Sequence, residues 1–147
     1  LLGIGGEILT DLLLPTQVLE PAFCEDCGLC REKCPMQECG ICLSALTQKK
    51  GILTPGESAI IQKFGSAWGC DLCQEVCPHT KKAKEAGTLY TPIPYFYEKT
   101  VSHLTLSVLD EMEEDFFAER AYSWRPRETV RRNLILLEEE TKKGDHS

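Results

Sequence analysis

Residues 69–82 read GCDLCQEVCPHTKK, and the three cysteines in that run decide how the chain is to be read. Cys70, Cys73 and Cys77 stand at C-x2-C-x3-C with Pro78 behind the last of them, a spacing that suits an iron–sulfur cubane. A cubane takes four thiolates, and the residues just before Cys70 supply none. The missing ligand has to come from elsewhere in the chain.

Upstream, CEDCGLCREKCP places Cys24, Cys27, Cys30 and Cys34 at C-x2-C-x2-C-x3-C, closed by Pro35. This is the bacterial ferredoxin run, whose fourth cysteine serves the other cluster in two-cluster proteins. Three closely spaced cysteines wrap one cubane while backbone amides point at its sulfurs. The x3 step and the proline, which offers no amide, turn the chain toward a second site. If the two motifs exchange their last cysteines, Cys24, Cys27 and Cys30 take Cys77, while Cys70 and Cys73 take Cys34. The second set still lacks one thiolate, and only Cys39 and Cys42 remain. Nine cysteines therefore make two four-ligand sites with one left over. Zinc is the alternative use of C-x2-C pairs. The repeated C-x2-C-x3-C-P step favours iron–sulfur clusters over it.

Composition agrees with a metal-supported domain. At 147 residues the chain has room for one domain or two very small ones. Its hydrophobic fraction of 42% suffices for a modest core, while aromatics at 7% leave that core in need of other support. An odd cysteine count in tight spacings reads as metal ligation in a reducing compartment rather than as a disulfide framework. No basic, apolar and small-residue export signal opens the chain. The apolar run from Leu1 to Ile8 is far shorter than the roughly 20 residues that span a bilayer. The expected location is the cytoplasm, with no membrane partner. The chain begins on Leu1 in mid-pattern, as part of a longer protein would.

A formal charge of −7 makes the chain a poor generic binder of polyanions. Two clusters would add a net of about −2 each. Any nucleic acid would have to meet local patches: Lys49 and Lys50, then Lys81, Lys82 and Lys84, or Arg125, Arg127, Arg131 and Arg132. Solvated surface charge is the simpler reading of each.

The expected fold class is α+β, mostly α and irregular. Residues 1–23 form a lead-in strand or loop, with a short extended stretch over 7–14 ending at Pro15. Residues 24–80 form a ferredoxin-like domain binding two [4Fe–4S] clusters. Residues 81–147 form a connection over 81–98 and then two C-terminal helices. Inside the cluster domain, TPGESAIIQKFG predicts a helix with Thr54 as N-cap, Pro55 at the first position, Glu57 closing a capping box and Gly65 ending it. Ala59, Ile60 and Phe64 are its expected apolar stripe. LSVLDEMEEDFFAER has the 3.6-residue period of a helix through Leu106, Leu109, Met112, Phe116 and Phe117. The last helix is expected to begin near Pro126 with Val130, Leu134 and Leu137 on one face, and the tail from Thr141 to fray. Trp68 is expected to shield a cluster, Trp124 to anchor the last helix, and Tyr90, Tyr95 and Tyr97 to pack the connection over the cluster domain. His79 reads as a loop histidine, since eight cysteines fill both sites; His103 and His146 carry no signal. No G-x-S-x-G motif or phosphate-binding loop is present.

CLSALTQKKG from Cys42, with GCDLCQEVCP from Gly69, closely resembles the double-cluster region of the epoxyqueuosine reductases, corrinoid-dependent enzymes that complete queuosine in tRNA. That family has an isolated cysteine followed by a small hydrophobic residue, Ser, any residue, Leu and Thr, and later a G-C-x-x-C-x-x-x-C-P run. GEILTDLLLP and RPRETVRRN resemble the family's lead-in and a later basic stretch, so the likeness spans residues 6 to 137. By this resemblance Cys42 is the ligand and Cys39 the spare. It implies clusters on Cys24, Cys27, Cys30 and Cys77 and on Cys34, Cys42, Cys70 and Cys73. It further implies a cobalamin held by a region preceding the part represented here, a soluble electron donor of ferredoxin or flavodoxin type, and tRNA as a partner. Catalysis would lie in that preceding region, so no catalytic residue carries over to this chain. The departures are a short Cys34-to-Cys42 interval, Met36 and Gln37 in place of small residues after the first Cys-Pro, and His79 in place of an aromatic after the second. A stand-alone two-cluster electron carrier, or a related corrinoid reductase with another substrate, fits the same cysteines.

Overall fold

The computed structural model describes residues 11–13, 15, 23–38 and 40–144, the last five by backbone alone. Among the described residues all regular structure is helical. The helices are α1 (Leu29–Lys33), α2 (Leu43–Thr47), α3 (Pro55–Phe64), α4 (Leu72–Glu75), α5 (Pro78–Glu85), α6 (Leu106–Asp110), α7 (Glu114–Ala118) and α8 (Arg127–Gly144), with one 3-10 turn at Pro94–Phe96. The extended stretch expected over 7–14 lies largely outside the described residues, and so does Cys39. No helix among the described residues is long and apolar enough to cross a membrane.

The chain forms two compact units that interleave along the sequence. One holds the residues up to Cys34 together with Leu72–Tyr90; the other holds Pro35–Asp71 and the residues from Thr91 onward. In the first unit α1 packs on α4, and α4 on α5. The helix α5 was not anticipated, because residues 81–98 read as connection. Pro78 starts it at the first position, where a missing amide is harmless, and it runs to Glu85.

The second unit is organised on α8, which contacts α2, α3 and α6. Leu109, Phe117, Val130 and Leu134 form one core cluster, with Trp68, Met112 and Tyr122 against it. Leu46, Leu53 and Ile61 form another, against which Leu136 and Leu137 pack. The expected α8 face is thus shared between two clusters, Val130 and Leu134 serving one and Leu137 the other. The helix continues through Thr141 to Gly144, past the point where fraying was expected.

Helix α3 forms as its sequence predicts. The Thr54 hydroxyl accepts from the Glu57 amide at 3.3 Å, and the Glu57 carboxylate accepts from the Thr54 amide at 2.8 Å. Gly65 closes the helix at φ 64, a left-handed conformation that favours glycine. Its buried residue is Ile61 rather than Ala59, which is exposed. The reason is α8, which takes Ile61 into its cluster and accepts the Gln62 amide on Leu136 O at 3.1 Å. The single helix expected from Leu106 onward is two. Asp110, Glu111, Glu113, Glu114 and Asp115 would face one another at i, i+3 and i, i+4 in one continuous helix, where like charges repel. Breaking at 111–113 moves Glu114 and Asp115 into the first turn of α7, where the helix dipole favours them.

Candidate metal centre

The first cysteine run is shaped by two left-handed residues. Asp26 has φ 48 and Gly28 has φ 77. A Cβ on Gly28 would meet nothing within 4 Å, so the demand for glycine there is conformational, not steric. These turns curl Cys24 to Cys27 so that the Asp26 amide donates to Cys24 Sγ at 3.4 Å. Arg31 reaches back to Asp26 Oδ1 at 2.6 Å, an exposed pair whose contribution to stability is small. Beyond the turn, Gly28 O accepts from the Arg31 and Glu32 amides and starts α1, which carries Cys30. Cys34 follows immediately as its C-cap.

The second run contributes Cys73 on α4 and Cys77 as the N-cap residue of α5. The amides of Thr80 and, secondly, His79 face the Cys77 sulfur and draw its pKa below the ordinary thiol value, with burial opposing them. Neither closes a fully formed cap hydrogen bond. The direction matters, since a thiol inclined to ionise is the form that ligates metal.

Two cavities bordered by cysteines lie within the first unit. One, of about 50 Å³, is bordered by Cys24, Cys27, Cys30 and Cys77, together with Gly28 and His79. The other, of about 380 Å³, is bordered by Cys34 and Cys73, by Cys24, Cys30 and Cys77, and by Phe23. The last cysteine of the second run therefore shares a cavity with the first three of the first run. The last cysteine of the first run shares one with Cys73. None of the eight described cysteines is in a disulfide. Among the described residues no three Cys, His, Asp or Glu side chains converge on a single-ion position. Cubane ligands have no need to, because each thiolate binds its own iron at a corner and the sulfurs surround a volume. An all-thiolate donor set around a cavity, with amides directed at two of the sulfurs, fits such a cluster.

His79 borders both cavities. Its Nε2 is buried without a hydrogen-bond partner, and the Glu25 carboxylate at 3.8 Å is too far to supply one.

Cys42 and Cys70 belong to the second unit. Cys42 is exposed and is the N-cap residue of α2; Cys70 is half-buried behind Gly69, whose φ is 72. Their segments are held by a polar network that sequence reasoning missed. Asn133 is fully buried on α8 and donates to Thr47 O at 2.7 Å and to Ala67 O at 2.9 Å. Its Oδ1 accepts twice from Arg132. Thr47, also fully buried, accepts the Gly69 amide on Oγ1 at 3.0 Å. The helix after Cys42 and the strap before Cys70 are thus tied to one asparagine with all its hydrogen-bonding capacity used. The available signal was Asn133 itself, a polar residue three positions after Val130 on the apolar face of α8.

The arginines of α8 are committed within the second unit. Arg131 makes a two-pronged pair with Asp110 at 2.8 and 3.1 Å, and this draws the Asp110 carboxyl below its usual range. Arg127 donates to Leu109 O at 2.6 Å and pairs with Glu114 at 2.9 Å. Arg132 donates to Lys49 O and Gly51 O as well as to Asn133. Trp124 does not anchor the helix: it is 58% exposed, beneath the Arg125 guanidinium at 3.8 Å. Trp68 packs edge-on against Tyr122 and Trp124. Tyr90, Tyr95 and Tyr97 are each more than half exposed, so they do not pack the connection down.

No family model matches the chain, and no solved structure does. Among curated proteins, an epoxyqueuosine reductase from Bacillus subtilis is 30% identical over 141 residues, covering 89% of this chain and 36% of the relative. The Listeria monocytogenes epoxyqueuosine reductase is 26% identical over 90% of this chain and 36% of its own length. The chain matches one part of the epoxyqueuosine reductases. It spans about a third of the length of those enzymes. An uncharacterized protein in the gldA 3′ region of Geobacillus stearothermophilus, 30% identical, is covered over 63% of its length. The likeness to epoxyqueuosine reductases therefore takes in nearly the whole of this chain, both cysteine runs included.

Proposed function

We propose that this chain is the electron-delivering part of an epoxyqueuosine reductase-like oxidoreductase, holding two [4Fe–4S] clusters in a ferredoxin-like arrangement. Cys24, Cys27, Cys30 and Cys77 hold the first; Cys34, Cys42, Cys70 and Cys73 hold the second. The observation that carries this reading is the cavity shared by three cysteines of one motif and the last cysteine of the other. That sharing is what exchange of the fourth ligand requires. For the second set, the support is the cavity shared by Cys34 and Cys73, together with the family pattern for Cys42 and Cys70.

When bound, the clusters supply one-electron transfer. The residues of this chain do the holding and the tuning. Gly28 and Asp26 curl the loop that presents Cys24 and Cys27, and the Asp26 amide supports the charge on Cys24. The start of α5 does the same for Cys77 through the amides of Thr80 and His79. Asn133 and Thr47 fix the segments bearing Cys42 and Cys70. By likeness to the reductases, electrons arrive from a soluble ferredoxin or flavodoxin and leave to a cobalamin, for reduction of an epoxide in tRNA. No residue of this chain is assigned to the cobalamin or the substrate.

The test is elemental analysis of anaerobically purified protein from the complete native gene. Near eight irons and eight sulfides per chain, with cobalamin retained on addition, supports the reading. Eight irons with no corrinoid affinity leaves a two-cluster electron carrier, and zinc in place of iron overturns both. On the same protein, Cys42→Ser should lose about half the iron and Cys39→Ser none. The reverse result reassigns the eighth ligand.

A further inference from the structure

We propose that His79 donates a hydrogen bond from Nε2 to a sulfur of the cluster held by Cys24, Cys27, Cys30 and Cys77, and so helps to set the potential of that cluster. The inference rests on the cluster reading above and gives a role to a residue that is not one of the ligands. His79 borders both cysteine cavities. Its side chain is 26% exposed, yet Nε2 is buried and has no hydrogen-bond partner. The covered edge of the ring is therefore the edge that carries Nε2. A buried ring nitrogen left unpaired is unfavourable, and such a group calls for a physical explanation.

Placement supplies the explanation. Glu25 Oε1 lies 3.8 Å from Nε2, too far for a hydrogen bond but close enough to show which way the ring is turned. Glu25 borders the smaller cavity and not the larger, so the Nε2 edge lies on the side of Cys24, Cys27 and Cys30. The Glu25 side chain is more than half exposed, and water can serve its carboxylate without the histidine. A neutral imidazole protonated on Nε2 is a donor there. The sulfurs of an all-thiolate cluster carry negative charge and accept strongly. Because reduction adds to that charge, a hydrogen bond to a cluster sulfur favours the reduced state and raises the potential.

The experiment is a spectroscopic redox titration, at one fixed pH, of anaerobic, iron-loaded protein from the complete native gene. It compares wild type, His79→Phe and His79→Gln, with iron counted in each. His79→Phe keeps a flat ring and removes the donor. At the potential where the wild-type cluster is half reduced, its ratio of reduced to oxidised cluster should be roughly three- to tenfold lower. One midpoint should move more than the other, iron content should be unchanged, and His79→Gln, which keeps an N–H, should lie nearer the wild type. In the wild type grown on histidine labelled with heavy nitrogen, pulsed EPR of the reduced protein should show a weak nitrogen coupling that His79→Phe abolishes. Should His79→Phe fail to load, His79→Leu takes its place under the same criteria. Wild-type midpoints in the donor-less variant overturn the proposal, as does an equal shift of both. Equal midpoints in the Phe and Gln variants make His79 a packing residue, and a coupling as strong as that of a direct ligand makes it a ligand; either result also overturns it. A wild-type chain that binds no iron sinks the cluster reading itself, and this inference with it.

Discussion

The two units are stabilised by different means. Every buried apolar side chain among the described residues lies in the second unit, from Leu43 and Leu46 through Ile61 to Leu109, Phe117, Val130 and Leu134. The described residues of the first unit include none; their single buried residue is Thr80, and two of the unit's cavities are bordered by cysteines. Burying a large apolar side chain contributes about 1.5–3 kcal/mol. The second unit therefore has an ordinary hydrophobic reason to fold, and the described residues of the first supply no comparable one. Small units with little core depend on metals or cross-links, and on the proposed function cysteine ligation is what would support the first.

The comparison breaks most directly on removal of iron, where the largest effect is expected. Because the binding energy of a structural metal is folding energy, the iron-free protein should lose protection in α1, α4 and α5. Helices α3 and α8 should keep theirs. Hydrogen exchange measured segment by segment separates the two. Slow exchange in α1 and α5 without iron would show that the first unit stands on its own contacts.

Core truncation probes the other side. Leu109 is fully buried beside Phe117 and Val130, so Leu109→Ala should destabilise the second unit by about 2–5 kcal/mol. Denaturant unfolding followed through Trp68, which packs on that cluster, reads it. Asn133→Ala should have the next largest effect, roughly 2–4 kcal/mol, because it leaves the carbonyls of Thr47 and Ala67 unpaired. It carries an added consequence. The segments it frees bear Cys42 and Cys70, so iron retained per chain should fall toward half while Leu109→Ala leaves it closer to full. Equal iron in both variants would mean that Asn133 is a packing residue only.

What could be read in advance follows the same division. The cysteine motifs are defined by local spacing, so the two runs and their proline stops were visible in the chain. A strong local signal also sufficed for α3, where Thr54, Pro55, Glu57 and Gly65 all agree. What was missed depends on residues distant in sequence. Ile61 is buried because α8 lies against it, some 70 residues on. The break at 111–113 reflects repulsion among five carboxylates that apolar periodicity ignores. Residues 81–85 form a helix although little in them is apolar, since Pro78 and the Cys77 cap start it. The interleaving of the units follows from the return of Leu72–Tyr90 to the first cysteine run, a pairing that ligand exchange implies but helical periodicity cannot. Arg127, Arg131 and Arg132 read as a basic patch because their partners, Asp110, Glu114 and three backbone carbonyls, lie outside any local window.

The smallest expected effect sharpens the contrast by its pH dependence. Glu57 is pulled down to about 2 from 4.5, chiefly by the Lys49 ammonium at 2.6 Å and then by the Thr54 amide. A carboxyl whose folded pKa is depressed stabilises the fold above its unfolded pKa and loses that contribution as pH falls through the folded value. The window here runs from about pH 4.5 down to about 2. Glutamine also serves at this position of a capping box, so Glu57→Gln keeps the geometry and removes the charge. The variant should melt slightly below the wild type at pH 7, and the gap should close as the pH is lowered through that window. The pair is exposed, which keeps the difference small and makes it shrink with added salt. Because α3 belongs to the unit with the hydrophobic core, the gap should be the same in iron-loaded and iron-free protein. A gap that disappears with the iron would show that the second unit, too, depends on the metal.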